Sequence, residues 1–265
     1  MRRVRSCLSV PGSSPEKIAK AAGLDVDQVI LDLEDAVAPA DKEAARAHVA
    51  RALHELDFRA ATVAVRVNAR RSEWFGADLA LVEELLPACV VLPKVEDASD
   101  PEPLPVPVQA LIETARGLVE VERIAQAPGV EALVFGPGDL AASLGAPQLT
   151  IGEGDWGYAL ARVVVAAKAF GRQAIDGPFV RLGDLEGLRA SAERSHGLGF
   201  DGKWAIHPEQ VAVLHEVFTP SAEELERAER IVSVAARATR LDGEMVDEAT
   251  RKMAESVLAR GRPSV

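Results

Sequence analysis

The chain has 265 residues, which suits one large domain or two small ones, and α/β barrels often reach this size as a single domain. Asp and Glu number 41 against 30 Lys and Arg, so the net charge of −11 argues against general nucleic-acid binding, which needs a basic face. A local basic pocket for a small anionic ligand is still compatible with this composition.

The sequence has no run of about 18 apolar residues, which predicts that no segment spans a membrane. The first residues, MRRVRSCLSVPGSS, contain an apolar run that Pro11 and Gly12 interrupt, unlike a secretory signal. Cys7 and Cys89 lie in separate apolar runs and form neither a disulfide framework nor a zinc pattern. We therefore expect a cytoplasmic protein with two buried, inert thiols.

Eight short runs rich in Val, Ile and Leu predict β-strands, and they alternate little between apolar and polar residues. This pattern is typical of parallel strands that are covered on both faces. The predicted strands lie at 4–10, 28–33, 62–68, 89–95, 108–114, 131–136, 173–179 and 202–208. Helical patterns between most of them lie at 14–23, 41–53, 78–86, 118–127, 158–170 and 209–218.

Eight strands with intervening helices fit a (β/α)8 TIM barrel over residues 1–218, with a doubly wound open sheet as the alternative. One unit is weak, because 96–107 contains four prolines and leaves room for only a short helix. Residues 219–265 predict a C-terminal helical extension. It begins with a Ser221–Glu224 capping box and a helix over 221–241, followed by a turn and another helix within 242–261. We expect this extension to dock on the barrel or on a neighbouring subunit.

Polar residues fall at the carboxyl ends of the predicted strands, where α/β barrels place their active sites. Loop polarity alone would explain one or two of them and would predict equal polarity at the amino ends. The residues are Asp35, Arg66, Asn68, Lys94, Glu113, Asp139, Asp176 and His207.

Glu113 and Asp139 follow the fifth and sixth strands, whose spacing of about 4.8 Å lets both carboxylates reach one small cation. Two carboxylates without a nearby His or Cys favour Mg²⁺ over zinc. The glycines of Gly136-Pro137-Gly138 let backbone N–H groups at Gly138 and Asp139 approach a ligand. The alternative is that both acids only cap helices.

Arg66 lies inside an apolar strand and therefore needs a partner. Its guanidinium suits a substrate carboxylate, and an internal ion pair with Glu34 or Asp35 is the alternative. These two acids belong to VILDLEDAV at residues 29–37. Alternation along the strand places Asp32 and Glu34 on one side and Asp35 on the other. We expect Glu34 and Asp35 to support the metal site or act as a base, and Asp32 to be structural.

The chain resembles the citrate lyase β-subunit-like acyl-CoA lyases of the HpcH/HpaI aldolase superfamily, whose relatives include malyl-CoA and citramalyl-CoA lyases. The resemblance covers nearly the whole chain, in family order. Its stretches are LSVPGSSPEKIAKA, VILDLEDAVAPADKEAAR, VAVRVN, VVLPKVE, LIETARGLV, LVFGPGDLAASLG, GKWAIHPEQV and DGEMVDEATRKMA.

The resemblance implies a TIM barrel that assembles as a homotrimer or hexamer. It implies that Glu113 and Asp139 bind Mg²⁺ and that Arg66 holds the substrate carboxylate. Glu34 and Asp35 would contact metal-bound water, and Gly138 would lie against the substrate beside Asp139.

The resemblance also implies a coenzyme A site. Arg5 and Lys20 would meet CoA phosphates, and the backbone at Ile206 and His207 would line the site. Asp247, in GEMVDEA, would reach the active site of a neighbouring subunit and protonate the product enolate.

The implied reaction is the Mg²⁺-dependent cleavage of a citryl-, malyl- or citramalyl-type CoA thioester into acetyl-CoA, or an analogue, and a 2-keto acid, or the reverse condensation. Three alternatives remain open. They are a malyl-CoA thioesterase, a citrate lyase β subunit acting on an acyl-carrier-bound thioester, and an aldolase that acts without CoA.

Overall fold

Eight parallel strands form a closed barrel in the computed structural model, which describes residues 3–102, 104–147, 149–151, 156–234 and 239–261. Each strand pairs with the one before it, and β8 pairs with β1 to close the barrel. The predicted TIM barrel is confirmed, and the open sheet is excluded. The strands are β1 Ser6–Pro11, β2 Gln28–Asp32, β3 Thr62–Arg66, β4 Cys89–Leu92, β5 Val108–Ile112, β6 Val130–Phe135, β7 Gln173–Asp176 and β8 Gly202–Ala205.

Nine helices of the described residues accompany these strands, and each predicted helix of the barrel is confirmed in position. They are α1 Pro15–Ala22, α2 Lys42–Glu55, α3 Phe75–Leu85, α4 Ala115–Val119, α5 Val121–Gln126, α6 Pro137–Ser143, α7 Gly157–Ala169, α8 Leu185–Leu198 and α9 Glu209–Phe218. The helix predicted over 118–127 is split into α4 and α5. Residues 96–102 and 104–107 contain no helix, as their prolines suggest.

The sequence prediction missed α6 and α8. The helix α6 is short and begins with Pro137-Gly138, a pair that is typical of a loop. Within α8, Gly187 and Gly197 weaken the helical pattern. The Asp184 side chain caps this helix by accepting a hydrogen bond from the Gly187 N–H, at the start of its first turn.

The apolar core has two layers, as expected of a barrel surrounded by helices. One cluster fills the barrel interior, and Cys7 and Cys89 belong to it; burial raises the pKa of both thiols. The second and larger cluster lies between the outward side chains of the strands and the helices. The expectation of two buried thiols is confirmed. Within the described ranges, no helix is long and apolar enough to cross a membrane.

The C-terminal segment has a small core of its own. Two helices, α10 Ala222–Val234 and α11 Glu248–Gly261, pack together, and a two-stranded antiparallel ribbon, β9 Thr239–Leu241 and β10 Glu244–Val246, lies between them in the chain. The helix predicted over 221–241 is thus too long, because its last residues form β9. The predicted capping box is confirmed, since the Glu224 N–H donates to Ser221 Oγ at 3.2 Å and the Ser221 N–H donates to Glu224 Oε2 at 2.7 Å.

Arg3 links this C-terminal segment to the start of the barrel. Its guanidinium donates to the carbonyl oxygen of Phe218 and, at 2.8 Å, to that of Arg260. Burial lowers the pKa of Arg3 to about 10. The two ends of the described chain are therefore bonded to each other.

Barrel closure depends on close backbone approach at Gly202. A Cβ atom there would lie 2.1 Å from the Val4 carbonyl oxygen, so we expect Gly202→Ala to lower the free energy of unfolding by about 2–3 kcal/mol through overpacking. Gly197→Ala is the matched control, because nothing lies within 4 Å of its added Cβ. Within α8 it should raise stability by about 0.5–1 kcal/mol. Urea unfolding measures both, and equal effects would contradict this account of the closure.

Candidate active site

The carboxyl ends of the barrel strands surround a cavity of about 500 Å³. Its apolar wall comes from β1, β5, β6 and the loop after β8, and the backbone of Gly136–Asp139 forms one side. The charged side chains that line it are Lys17, Lys20, Asp32, Asp35, Arg66, Glu113 and Asp139, with His207 at the same wall. The cavity therefore combines an apolar groove with a concentrated group of carboxylates.

Arg66 at the end of β3 is held mainly by Asp32 of β2. Its Nε donates to Asp32 Oδ1 at 2.8 Å and its Nη2 to Asp32 Oδ2 at 2.5 Å, since the two residues are register partners of adjacent strands. Nη1 lies 3.1 Å from Glu34 Oε2, an ion pair without hydrogen-bond geometry. Burial alone would lower the pKa of Arg66, but the Asp32 and Glu34 carboxylates raise it above its ordinary value.

The two interpretations of Arg66, an internal ion pair and a contact with the substrate carboxylate, are compatible with these contacts. The expected internal ion pair with Glu34 is confirmed, whereas Asp32 was not predicted as the main partner. One edge of the guanidinium fork is occupied by Asp32, and Nη1 faces Glu34 Oε2 without donating a hydrogen bond to it, so Nη1 can still donate to another ligand. The guanidinium carbon also lies 5.4 Å from the centre of the Trp204 ring. Asp32 accepts the Glu34 N–H at 2.8 Å as well, so it orients both residues.

Glu34 and Asp35 differ in their exposure. Glu34 is buried, and its Oε1 accepts a hydrogen bond from Lys94 Nζ at 2.6 Å. Burial raises the pKa of Glu34, although Arg66 and Lys94 oppose that rise. Asp35 lines the cavity with 58% of its side chain exposed, and its Oδ1 lies 3.6 Å from Lys94 Nζ. The carboxylate of Asp35 is the one of the two that reaches the cavity.

Glu113 and Asp139 are brought to one side of the cavity, as predicted. Glu113 is buried just after β5, and its Oε1 accepts the Lys94 N–H at 2.9 Å. A Cβ atom at residue 136 would lie 2.6 Å from Glu113 Oε2, so only glycine leaves room for this carboxylate. Asp139, in the first turn of α6, is partly exposed, with its Oδ2 3.7 Å from Lys94 Nζ.

The electrostatics of this pair suit a small hard cation. Burial, then the Glu34 and Asp139 carboxylates, raise the pKa of Glu113 well above its ordinary value. A cation held between Glu113 and Asp139 would offset the free-energy cost of ionising the buried Glu113 carboxyl group and keep both carboxylates ionised. The described residues contain no group of three or more His, Cys, Asp or Glu placed to hold a metal by themselves. The residues thus fit Mg²⁺, which takes one or two protein carboxylates and fills its other positions with water and substrate.

Three of the four residues expected to bind CoA line the cavity, namely Lys20, Ile206 and His207. The N–H groups of Ile206 and His207 donate to Gln210 Oε1 at 2.8 and 3.3 Å, so they are already engaged. Lys17 lines the same wall and was missed. The signal was present, because residues three apart on a helix share one face.

The prediction that Arg5 contacts CoA is wrong. Arg5 precedes β1, so it lies at the amino end of the barrel, opposite the cavity. Its Nε and Nη2 donate to Asp27 Oδ2 and Oδ1 at 2.8 and 2.7 Å, and Nη1 donates to Thr219 Oγ1 at 2.8 Å. The predicted strand over 4–10 already places Arg5 near the amino end of β1, so the error came from the family resemblance and not from the strand bounds.

Two other strand-end residues serve the scaffold rather than the cavity. Asn68 accepts a hydrogen bond from Lys42 Nζ and donates to Asp78, and Asp176 forms a buried ion pair with Lys203. A polar residue at a strand end therefore predicts the correct face of the barrel. It does not predict whether that residue contacts a ligand or forms a buried pair with another side chain.

Asp247 does not line the cavity of its own chain. Its Oδ1 accepts the Thr250 N–H and the Thr250 hydroxyl, each at 3.0 Å, and thereby caps α11. The hydrogen bonds from Thr250 lower its pKa. The raised pKa expected for a proton donor therefore does not exist in the single chain, and the expected role in a neighbouring subunit stays a prediction.

A model of the HpcH/HpaI aldolase/citrate lyase family matches residues 5–208. The chain is 36% identical over 271 residues to a (3S)-malyl-CoA thioesterase of Cereibacter sphaeroides, covering 97% of this chain and 94% of that protein. It is 37% identical over 290 residues to an L-malyl-CoA/beta-methylmalyl-CoA lyase of the same species, covering 94% and 91%.

Among solved structures, the protein CitE from Mycobacterium tuberculosis, in complex with magnesium, acetoacetate and coenzyme A, matches with a TM-score of 0.86. The sequences are 34% identical, and the match covers 98% of each chain.

The buried charge of Glu113 predicts that the folding stability of the metal-free protein depends on pH. Because its pKa is raised on folding, stability should fall as the pH rises above about 4.3, the ordinary pKa of Glu, and through the raised pKa of Glu113. Glu113→Gln removes this charge and should be more stable than the metal-free wild type at pH 7–8, with a flatter pH profile. Thermal unfolding with chelator measures this, with Glu83→Gln on an exposed position of α3 as control. A Glu113→Gln protein that is less stable than wild type at pH 8 would contradict this assignment.

Proposed function

The chain belongs to the HpcH/HpaI aldolase/citrate lyase family, and we propose that it is a Mg²⁺-dependent carbon–carbon lyase acting on a carboxylate-bearing 3-hydroxyacyl-CoA thioester. The substrate is of the citryl, malyl or citramalyl type, and cleavage gives acetyl-CoA, or an analogue, and a 2-keto acid. One observation carries the proposal: Glu113 and Asp139 meet beside Arg66 at the mouth of a cavity that continues to Lys17 and Lys20.

Glu113 and Asp139 are the residues that would hold Mg²⁺. The ion, when bound, supplies a Lewis acid that polarises oxygen atoms of the substrate. Gly136 keeps the Glu113 carboxylate in place, because any side chain at that position would displace it. Gly138 lines the cavity next to Asp139, and a Cβ atom there would lie 3.3 Å from the Ile151 side chain, so a larger residue would be crowded at this position.

Arg66 orients the carboxylate of the substrate through the Nη1 side of its guanidinium. Asp32 holds the other edge, so the guanidinium is fixed before substrate arrives and little reorganisation is needed. Trp204 supports the guanidinium from a ring centre 5.4 Å away. A charge-assisted hydrogen bond from Nη1 to the developing keto acid stabilises it during cleavage.

Asp35 is the acid of VILDLEDAV best placed to take the hydroxyl proton of the substrate. Its carboxylate is exposed to the cavity, whereas Glu34 is held by Lys94 and faces Arg66. Glu34 then acts by keeping Arg66 in position, and in the metal-free site it also pairs with Lys94. A general base must reach the proton that it removes, and Asp35 meets that requirement better.

Lys17, Lys20 and the wall at Ile206–His207 form the CoA part of the cavity. Two ammonium groups on one face of α1 suit phosphate oxygens, and the apolar wall suits the pantetheine arm. Free CoA thioesters are therefore the substrate class, in preference to a thioester on an acyl-carrier protein.

The chain functions as a homo-oligomer, a trimer or a hexamer, in which Asp247 of one subunit lies over the cavity of the next. The Asp247 side chain caps α11 just after the β9–β10 ribbon. Met245 in this ribbon is 72% exposed, so the ribbon projects away from the small core of the C-terminal segment. In the assembled enzyme Asp247 donates the proton that converts the thioester enolate into product.

A thioesterase acting on malyl-CoA is the second candidate, favoured by the 36% identity to the (3S)-malyl-CoA thioesterase. Water would then attack the thioester carbonyl in the same cavity.

With (3S)-malyl-CoA and Mg²⁺, the lyase produces glyoxylate and acetyl-CoA, and we expect both. Chromatographic analysis of the products with the wild type, and with Glu113→Gln as inactive control, measures this; free malate and CoA alone would exclude the lyase.

The position of Asp247 is tested by mixing two inactive variants. Asp247→Asn and Glu113→Gln should each lose at least about 100-fold in kcat, the low end for a positioned proton donor. If Asp247 acts on a neighbouring subunit, co-expressed mixed oligomers contain some sites with both native residues and regain part of the activity. Mixed oligomers as inactive as either variant would show that Asp247 does not act across a subunit boundary.

A further inference from the structure

We propose that Lys94 is the built-in counter-ion of the metal site, and that its ammonium group is displaced when Mg²⁺ binds. This inference rests on the proposed function, because it assumes that Glu113 and Asp139 bind the ion. It assigns a role to the Lys of VVLPKVE: the residue sets how tightly the site holds its metal and stabilises the site when the metal is absent.

Lys94 touches both members of the metal-binding pair. Its backbone N–H donates to Glu113 Oε1 at 2.9 Å, and its Nζ lies 3.7 Å from Asp139 Oδ2. The same Nζ lies 2.6 Å from Glu34 Oε1 and 3.6 Å from Asp35 Oδ1. One residue thus connects four carboxylates of the cavity mouth.

This reach depends on an uncommon backbone conformation. Lys94 has φ of +52°, in the left-handed region that non-glycine residues seldom occupy. The conformation aims the N–H of Lys94 at Glu113 while its side chain extends to Glu34. Such conformations cost free energy and cluster at functional sites, so the contacts made here compensate for it.

Arg66 and Lys94, the two cations at the cavity mouth, differ in how tightly their side chains are held. Arg66 is held at Nε and Nη2 by Asp32, and its side chain is 11% exposed. Lys94 has a flexible side chain that is 33% exposed, so its ammonium has a path to solvent.

A divalent ion held by Glu113 and Asp139 would repel the Lys94 ammonium group, whose Nζ lies 3.7 Å from Asp139 Oδ2. The ammonium therefore moves out as the metal enters, and the site exchanges one cation for another. Without Lys94, the metal-free site holds one more uncompensated negative charge. It should then attract Mg²⁺ more strongly and be less stable when empty.

Calorimetric titration of the substrate-free protein with Mg²⁺ tests this. We expect Lys94→Met and Lys94→Gly to bind Mg²⁺ at least about tenfold more tightly than the wild type, because a like charge next to the ion is removed. Glycine at this position also removes the backbone strain, so agreement between the two variants assigns the effect to charge. Lys94→Arg keeps the charge and should remain near the wild type.

Lys168→Met is the matched control. Lys168 is also ion-paired, with Nζ 2.5 Å from Asp201, and its loss changes the net charge equally. It lies at the end of α7, next to the amino end of the barrel, so Mg²⁺ affinity should not change.

Thermal unfolding gives a second measurement: Lys94→Met should have a lower Tm than wild type in chelator, and Mg²⁺ should raise its Tm by more than it raises the wild-type Tm.

The outcomes separate the two proposals. If the wild type binds no Mg²⁺, or if Glu113→Gln binds it as well as the wild type, the proposed metal site fails. If the wild type binds Mg²⁺ through Glu113 but Lys94→Met binds it equally or less tightly, the inference about Lys94 is overturned. A Lys94→Met protein that folds only in the presence of Mg²⁺ supports it, since the ion then replaces the missing counter-ion.

Discussion

The mouth of this barrel concentrates five carboxylates, three of them buried, and their mutual repulsion is the constraint on which the rest of the site depends. They are Asp32, Glu34, Asp35, Glu113 and Asp139, and the cations paired with them are Arg66 and Lys94. Buried like charges are costly unless they are paired. The five carboxylates outnumber the two cations, so the site carries excess negative charge. A further cation can neutralise this charge and, once bound, can attract an anionic substrate.

The barrel provides rigidity where the site needs it and freedom elsewhere. Asp32 and Arg66 are register partners on adjacent strands, so their ion pair is fixed by the sheet itself. Gly136 lets the end of β6 lie against Glu113, because a Cβ atom there would lie 2.6 Å from Glu113 Oε2. Lys94, in contrast, reaches the acids from a loop with an exposed, flexible side chain. Fixed groups orient the substrate, and the flexible one can yield to the metal.

Local patterns in the sequence predict much of this architecture. Unbroken Val, Ile and Leu runs locate all eight strands, and the parallel barrel then brings Glu113 and Asp139 to one rim without further information. Strand alternation also places Asp32 and Glu34 on the same side. What it cannot provide is the register of the sheet, which decides that Arg66 meets Asp32 on the neighbouring strand. The left-handed backbone of Lys94 has no sequence signal of its own, because lysine seldom adopts it.

The central claim is that Glu113 and Asp139 hold the metal on which the keto acid binds. A crystal structure of the protein with saturating Mg²⁺ and oxaloacetate tests it most directly. The account predicts one cation with oxygen atoms of Glu113 and Asp139 at about 2.1 Å, its remaining positions taken by water and keto-acid oxygens, with Arg66 Nη1 on the carboxylate. A keto acid bound in the cavity with no cation between Glu113 and Asp139 would contradict it.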